Sequence, residues 1–102
     1  MSKKININDN TKLEIDSIVL QRLISHLQKR TDVQNIELMN LSGFCRNCLS
    51  NWYQEAANDL GISVNKNEAR EIIYGMPHEL WKEKYQKEAT PDQLNKFNEK
   101  KE

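Results

Sequence analysis

The stretch LSGFCRNCLSNWYQEAANDLG, residues 41–61, decides the fold. Gly43 punctuates the chain, and Ser42 before it is a residue type that caps helix starts. From Cys45 the apolar positions are Cys45, Cys48, Leu49, Trp52, Ala56 and Leu60, which form one stripe on a 3.6-residue period. Gly61 is a natural stop, because glycine tolerates the positive φ that ends many helices. The expectation is one continuous helix over 43–60. Both thiols and the Trp52 indole share its inward side, and the carboxamides of Asn47, Asn51, Gln54 and Asn58 look out.

The same grammar holds on either side. Upstream, Thr11 with Glu14 reads as a capping box. It opens a helix over 11–30 with Leu13, Leu20, Leu23, Ile24 and Leu27 at helical spacing. Lys29 and Arg30 suit its C-terminus. Asp32 reads as the cap of a short helix over 33–41, carrying Val33, Ile36, Leu38 and Leu41. Downstream, Asn65 and Glu68 open a helix with Ala69, Ile72 and Ile73, ended by Gly75. Pro77 reads as the first position of the next helix, where its missing N–H costs nothing. Leu80, Trp81 and Tyr85 give that helix its buried face. Thr90 and Gln93 cap a last segment with Pro91 at its start, docked by Leu94 and Phe97. The only alternation of β-formers is the short KININ at 3–7. The pattern predicts an all-α fold, a compact irregular bundle of five to six helices. It forms a single domain over 1–102, with loose tails at 1–9 and 98–102.

The totals exclude several functions. The chain has 102 residues, 37% of them hydrophobic, which allows one modest core. Fifteen basic and fifteen acidic side chains cancel, and no long basic run occurs, so nucleic acid is not an expected partner. The longest apolar run, Ile18-Val19-Leu20, is far short of the ~20 residues that span a bilayer. The N-terminal lysines have no apolar block behind them, unlike a secretory signal. A cytoplasmic chain with no membrane partner is expected, its two cysteines thiols rather than a bridge.

The segment HLQKRTDVQNIELMNLSGFCRNCLSNWY, residues 26–53, followed by EAREIIYGMP at 68–77, resembles a family of short bacterial proteins catalogued as domain of unknown function 1244. The resemblance implies a compact helical fold of about this length, and no particular activity.

Cys45-Arg46-Asn47-Cys48 carries three competing readings. Two thiolates can ligate Zn²⁺, with His26 adding a nitrogen, but a structural zinc site needs a fourth ligand. Asp32, Glu37 and Glu55 are available, and no spacing favours any of them. Alternatively, a thiol in the first turn of a helix beside Arg46 gains thiolate character and can do redox chemistry, although the usual βαβ context is absent. The third reading is that both are small buried hydrophobes, and the helical stripe supports it. No nucleophile elbow or triad pattern accompanies Ser25, Ser42 or Ser50, which argues against an enzyme. His26 sits at the edge of the first helix's stripe, and His78 reads as a solvated residue at a helix start. The cofactor expectation is therefore none, with zinc on Cys45, Cys48 and His26 as the alternative.

The amides suggest an interaction. Asn35, Asn40, Arg46, Asn47, Asn51 and Gln54 make a polar, nearly uncharged face, where an ordinary solvated face uses Lys and Glu. Carboxamides form directional hydrogen bonds at lower desolvation cost than charges. Such a face suits contact with another protein or a second copy. If buried, it serves as a latch between the short helix and its successor. Two tryptophans in a small core also favour self-association. The sequence reads as a non-enzymatic interaction or regulatory module that forms a homo-oligomer. A metal-binding module and a thiol redox protein are the alternatives.

Overall fold

A computed structural model describes residues 6–100, with side chains to Glu99. The chain forms six helices: α1 (Asp9–Lys29), α2 (Asn35–Ser42), α3 (Arg46–Asp59), α4 (Lys66–Tyr74), α5 (His78–Tyr85) and α6 (Pro91–Lys100). No strand occurs among the described residues, so the fold is all-α as the periodicity predicts. Part of the KININ segment lies outside the described residues, as do the outer parts of both expected tails; residues 98–100 continue α6. No helix among the described residues is long and apolar enough to cross a membrane.

Local chemistry sets the helix starts, and four of them differ from their expected places. α1 begins earlier because Asn8 is its cap, its Oδ1 accepting the Thr11 N–H at 2.8 Å. Thr11 is thereby spent inside the first turn and forms no box with Glu14. α2 begins later than expected because Asp32 is held by Arg30 through two 3.0 Å bonds. Glu37 instead accepts the Gln34 N–H at 2.8 Å. Ser42 does not cap α3. It closes α2, with its Oγ donating to Leu38 O at 2.8 Å. Gly43 then turns through φ 81°, Cys45 is extended at φ −142°, and α3 starts at Arg46. The two downstream boxes form as read: Asn65 with Glu68 at 2.9 and 2.8 Å, and Thr90 with Gln93 at 2.9 and 3.2 Å. Pro77 is the cap of α5 rather than its first residue.

The core joins Leu27 of α1, Leu49 of α3 and Ile73 of α4, with Ile24, Leu38 and Phe44 packed against them. Trp81 of α5, Tyr74 of α4 and Arg46 of α3 form a second buried layer. Gly75 closes α4 at φ 75°, where the Gln28 side chain lies against it. Gln28 donates to the carbonyl of Ile73 at 3.1 Å, tying the end of α1 to the end of α4. Of the 21 residues in α1, only Leu27 is buried. Its first turns project from the bundle. The radius of gyration, 16.3 Å, accordingly exceeds the ~13 Å of a closed hundred-residue globule.

Candidate functional site

α3 presents two faces about a quarter-turn apart, and the sequence reading merged them. The face toward the bundle is Arg46, Leu49 and Ser50. The apolar stripe of Cys48, Trp52 and Ala56 lies beside it, and Trp52 is 54% exposed. The expectation of an inward Trp52 is therefore wrong. The helix starts at Arg46 and its inward side is fixed by a charged residue, which apolar periodicity cannot report. Only Leu49 belongs to both faces.

Arg46 is the largest departure. It belongs to no outer amide face, being 1% exposed. Its guanidinium donates to Arg30 O at 2.7 Å, Val33 O at 2.8 Å and Asn35 Oδ1 at 3.0 Å, with a longer 3.4 Å approach to Leu27 O. It also lies 4.9 Å over the Trp81 ring. The carbonyls of Leu27 and Arg30 belong to the C-terminal end of α1, whose negative dipole end attracts a cation; each already accepts one backbone N–H, and Arg46 approaches as a second donor. Arg46 thus caps α1 from a different helix. No carboxylate forms an ion pair with it among the described residues, and its Nε has no acceptor. Burial holds its pKa below the ordinary arginine value, but arginine stays charged.

The two cysteines meet as the CxxC spacing requires. Cys45 Sγ and Cys48 Sγ are 3.9 Å apart, as free thiols. Cys45 is buried and Cys48 half-buried. Burial pushes the Cys45 thiol above its ordinary value, opposed by hydrogen bonds from the Cys48 and Asn47 backbone. The helix start thus offers its N–H groups as expected, but desolvation outweighs them, contrary to the lowered value on which the redox reading rests. The expected zinc set does not assemble. His26 is exposed on α1, and no group of three His, Cys, Asp or Glu residues suited to a metal occurs among the described residues. A third sulfur missed by the sequence reading lies nearby instead: Met39 Sδ of α2 is 3.8 Å from Cys48 Sγ. The six-residue interval from Met39 to Cys45, spanning a glycine turn, was the available signal.

The amides are engaged inside the bundle as much as outside it. Asn35 Nδ2 donates to the Tyr74 hydroxyl at 2.9 Å, and that hydroxyl donates to Asn47 Oδ1 at 2.7 Å. Tyr74 thereby bridges α2 and α3, and its burial raises its pKa. Asn40 Nδ2 donates to Gln93 O at 3.0 Å, fixing α6 on α2. Gln34, buried beside them, donates to Tyr85 O and accepts from Lys87 N, both at 2.9 Å. Gln34, Asn35 and Asn47 line a cavity of about 370 Å³ beneath the 86–89 linker. Gln54 is half-buried and Asn51 exposed. His78 is not a simple solvated residue. It stacks on Tyr74 at 4.9 Å and faces Arg70 Nη1 across 3.2 Å at its Nδ1. Arginine can only donate, so Nδ1 accepts and the proton sits on Nε2. Burial and the Arg70 charge lower the His78 pKa.

The remaining feature is apolar. Leu20 of α1, Leu49, Trp52, Tyr53 and Ala56 of α3, and Ile73 of α4 line an open groove of about 370 Å³. It continues onto α1, where Leu13, Ile15, Ile18, Val19, Leu20 and Leu23 are each more than a third exposed. Leu13 and Val19 reach 67% and 62%. No packing partner for this surface follows from a monomer's sequence, but apolar residues on more than one side of α1 were its signal.

No curated protein matches the chain. The family model described as "Protein of unknown function (DUF1244)" matches residues 33–99, from the start of the α2 segment nearly to the end of α6. A match over well over half of its length, across the helices that build the Arg46 layer, makes the chain a member of this family.

Proposed function

We propose that this protein is a non-enzymatic interaction module that works as a self-associated unit, with α1 of one copy covering the apolar groove of another. The supporting observation is the uncovered surface of α1 and the groove. Six aliphatic side chains of α1 stand open to solvent, and the groove wall adds Trp52 and Tyr53. Together they expose on the order of several hundred Å² of contiguous apolar surface, the size at which patches mark interfaces. A stable dimer needs ~800 Å² per partner, which α1 of one copy laid along the groove of another would have to supply. A second copy fits as occupant because it supplies both complementary parts: a projecting apolar helix and an open apolar slot. Leu13, Leu20 and Leu27 recur at intervals of seven, which also suits helix-against-helix packing.

The carboxamides act in this reading as the latch that holds α2, α3 and α6 together, with exposed Asn51 at the rim. A cytoplasmic setting is consistent with two free thiols. Sedimentation equilibrium tests the reading. The native chain is expected at a multiple of 12.0 kDa, and Leu13→Lys with Val19→Lys, on side chains outside the core, is expected to give a folded monomer. A native monomer at hundreds of micromolar, or a double variant of unchanged mass, would refute it.

A further inference from the structure

We propose that Cys45, Cys48 and Met39 form a three-sulfur site for a soft monovalent metal ion, Cu(I) in chemical class. Three observations carry this. First, the two spacings from Cys48 to its sulfur neighbours fit. Sulfurs bound to one metal at about 2.3 Å stand ~3.8–4.0 Å apart. Cys45 Sγ to Cys48 Sγ is 3.9 Å, and Cys48 Sγ to Met39 Sδ is 3.8 Å. Two α-helices and a fixed turn set these distances: Gly43 closes α2 with its N–H on Met39 O at 3.0 Å, Cys45 is the cap of α3, and Cys48 lies in its first turn.

Second, the donor set selects the metal. Thiolate and thioether sulfurs favour Cu(I), whereas zinc takes four ligands that include nitrogen or further thiolate. No third His, Cys, Asp or Glu joins these sulfurs among the described residues. Third, the charge is complementary. Binding Cu(I) to two thiolates releases two protons to solvent and leaves a centre of one net negative charge, the thioether being neutral. Arg46, next in chain to Cys45, is a buried cation whose partners are carbonyl and amide oxygens rather than a carboxylate. Buried charges are ordinarily paired, and a negative copper–dithiolate centre on the neighbouring residue would offset the Arg46 charge through space, without a direct contact. Cys48 and Met39 are half-buried, which leaves the ion a path in.

The test is anaerobic titration of the reduced native chain with Cu(I) held by a chromophoric chelator, with zinc in a parallel series. One copper per chain is expected to leave the chelator, and X-ray absorption is expected to show three sulfurs and no nitrogen. Met39→Leu, which keeps the packing volume, is expected to weaken binding at least tenfold. Cys48→Ser is expected to abolish it, and His26→Ala to leave it unchanged; circular dichroism confirms the fold of each. Four results would each overturn the site: no withdrawal of copper, half a copper per chain, a Met39→Leu affinity equal to native, or preference for zinc.

Discussion

Replacing Arg46 by methionine isolates the energetic role of the buried guanidinium. Methionine keeps most of the volume and removes the charge and the fork of donors. The short bonds to Arg30 O and Val33 O are lost; Arg30 O keeps the Val33 N–H at 3.1 Å, but the Val33 carbonyl loses its donor, at about 1–3 kcal/mol if no water replaces Arg46. The contact over Trp81 adds about 2 kcal/mol when desolvated. Against this, the folded state no longer desolvates a guanidinium, and buried charges exchanged for apolar groups are often neutral. Here the Val33 carbonyl and the Asn35 amide oxygen lose their guanidinium donor while the Trp81 contact goes with it, so the loss dominates. The net expectation is a destabilisation of about 3–4 kcal/mol, a large part of the 5–15 kcal/mol typical of a domain. Lysine, which keeps the charge but cannot serve several acceptors in a plane, should lose about 2 kcal/mol. Urea unfolding followed by far-ultraviolet circular dichroism gives both values, provided the slope with denaturant is unchanged. A methionine variant within about 1 kcal/mol of native would refute the argument that Arg46 caps α1 across the bundle.

Two further outcomes follow from the glycines and from His78. Gly43→Ala should cost about 1–2 kcal/mol for its left-handed backbone alone, because open space surrounds it. Gly75→Ala should cost more in the same unfolding assay, since its Cβ would meet the Gln28 side chain at 2.9 Å and disturb the tie between α1 and α4. Equal losses at the two sites would show that Gln28 yields freely. For His78, burial and Arg70 lower the folded-state pKa, so the unfolded chain takes the proton first. Its contribution is full above the unfolded value of about 6.5 and is lost as pH falls through the lower folded value. Stability measured from neutral pH downward should decline over that window, and His78→Gln should flatten the decline. An unchanged pH profile in the variant would contradict the assigned neutral imidazole.

The sequence could show where helices lie wherever the controlling chemistry is local. The Asn65–Glu68 and Thr90–Gln93 boxes involve neighbours three residues apart, and they form as read. The glycine stop at 75 is equally local. Errors arose where a side chain had a second local partner on its N-terminal side. Asp32 was claimed by Arg30 and Ser42 by the helix behind it, so both forfeited the caps that the pattern assigned them.

Of the candidate site, the pairing of Cys45 with Cys48 was legible, because a three-residue interval at a helix start fixes it. The separation of His26 from that pair was not, since it depends on how α1 crosses α3. Nor was Met39's approach, which the Gly43 turn sets.

What the sequence by itself determined is the all-α fold and the existence of each helix, because periodicity and capping are properties of consecutive residues. Which way α3 faces was decided only by tertiary structure. A charged residue won the interior there: the carbonyl ends of α1, the Asn35 amide and the Trp81 ring converge on Arg46 from three separate elements. Trp52 was turned outward by the same choice, because one helix cannot point both sides at one core.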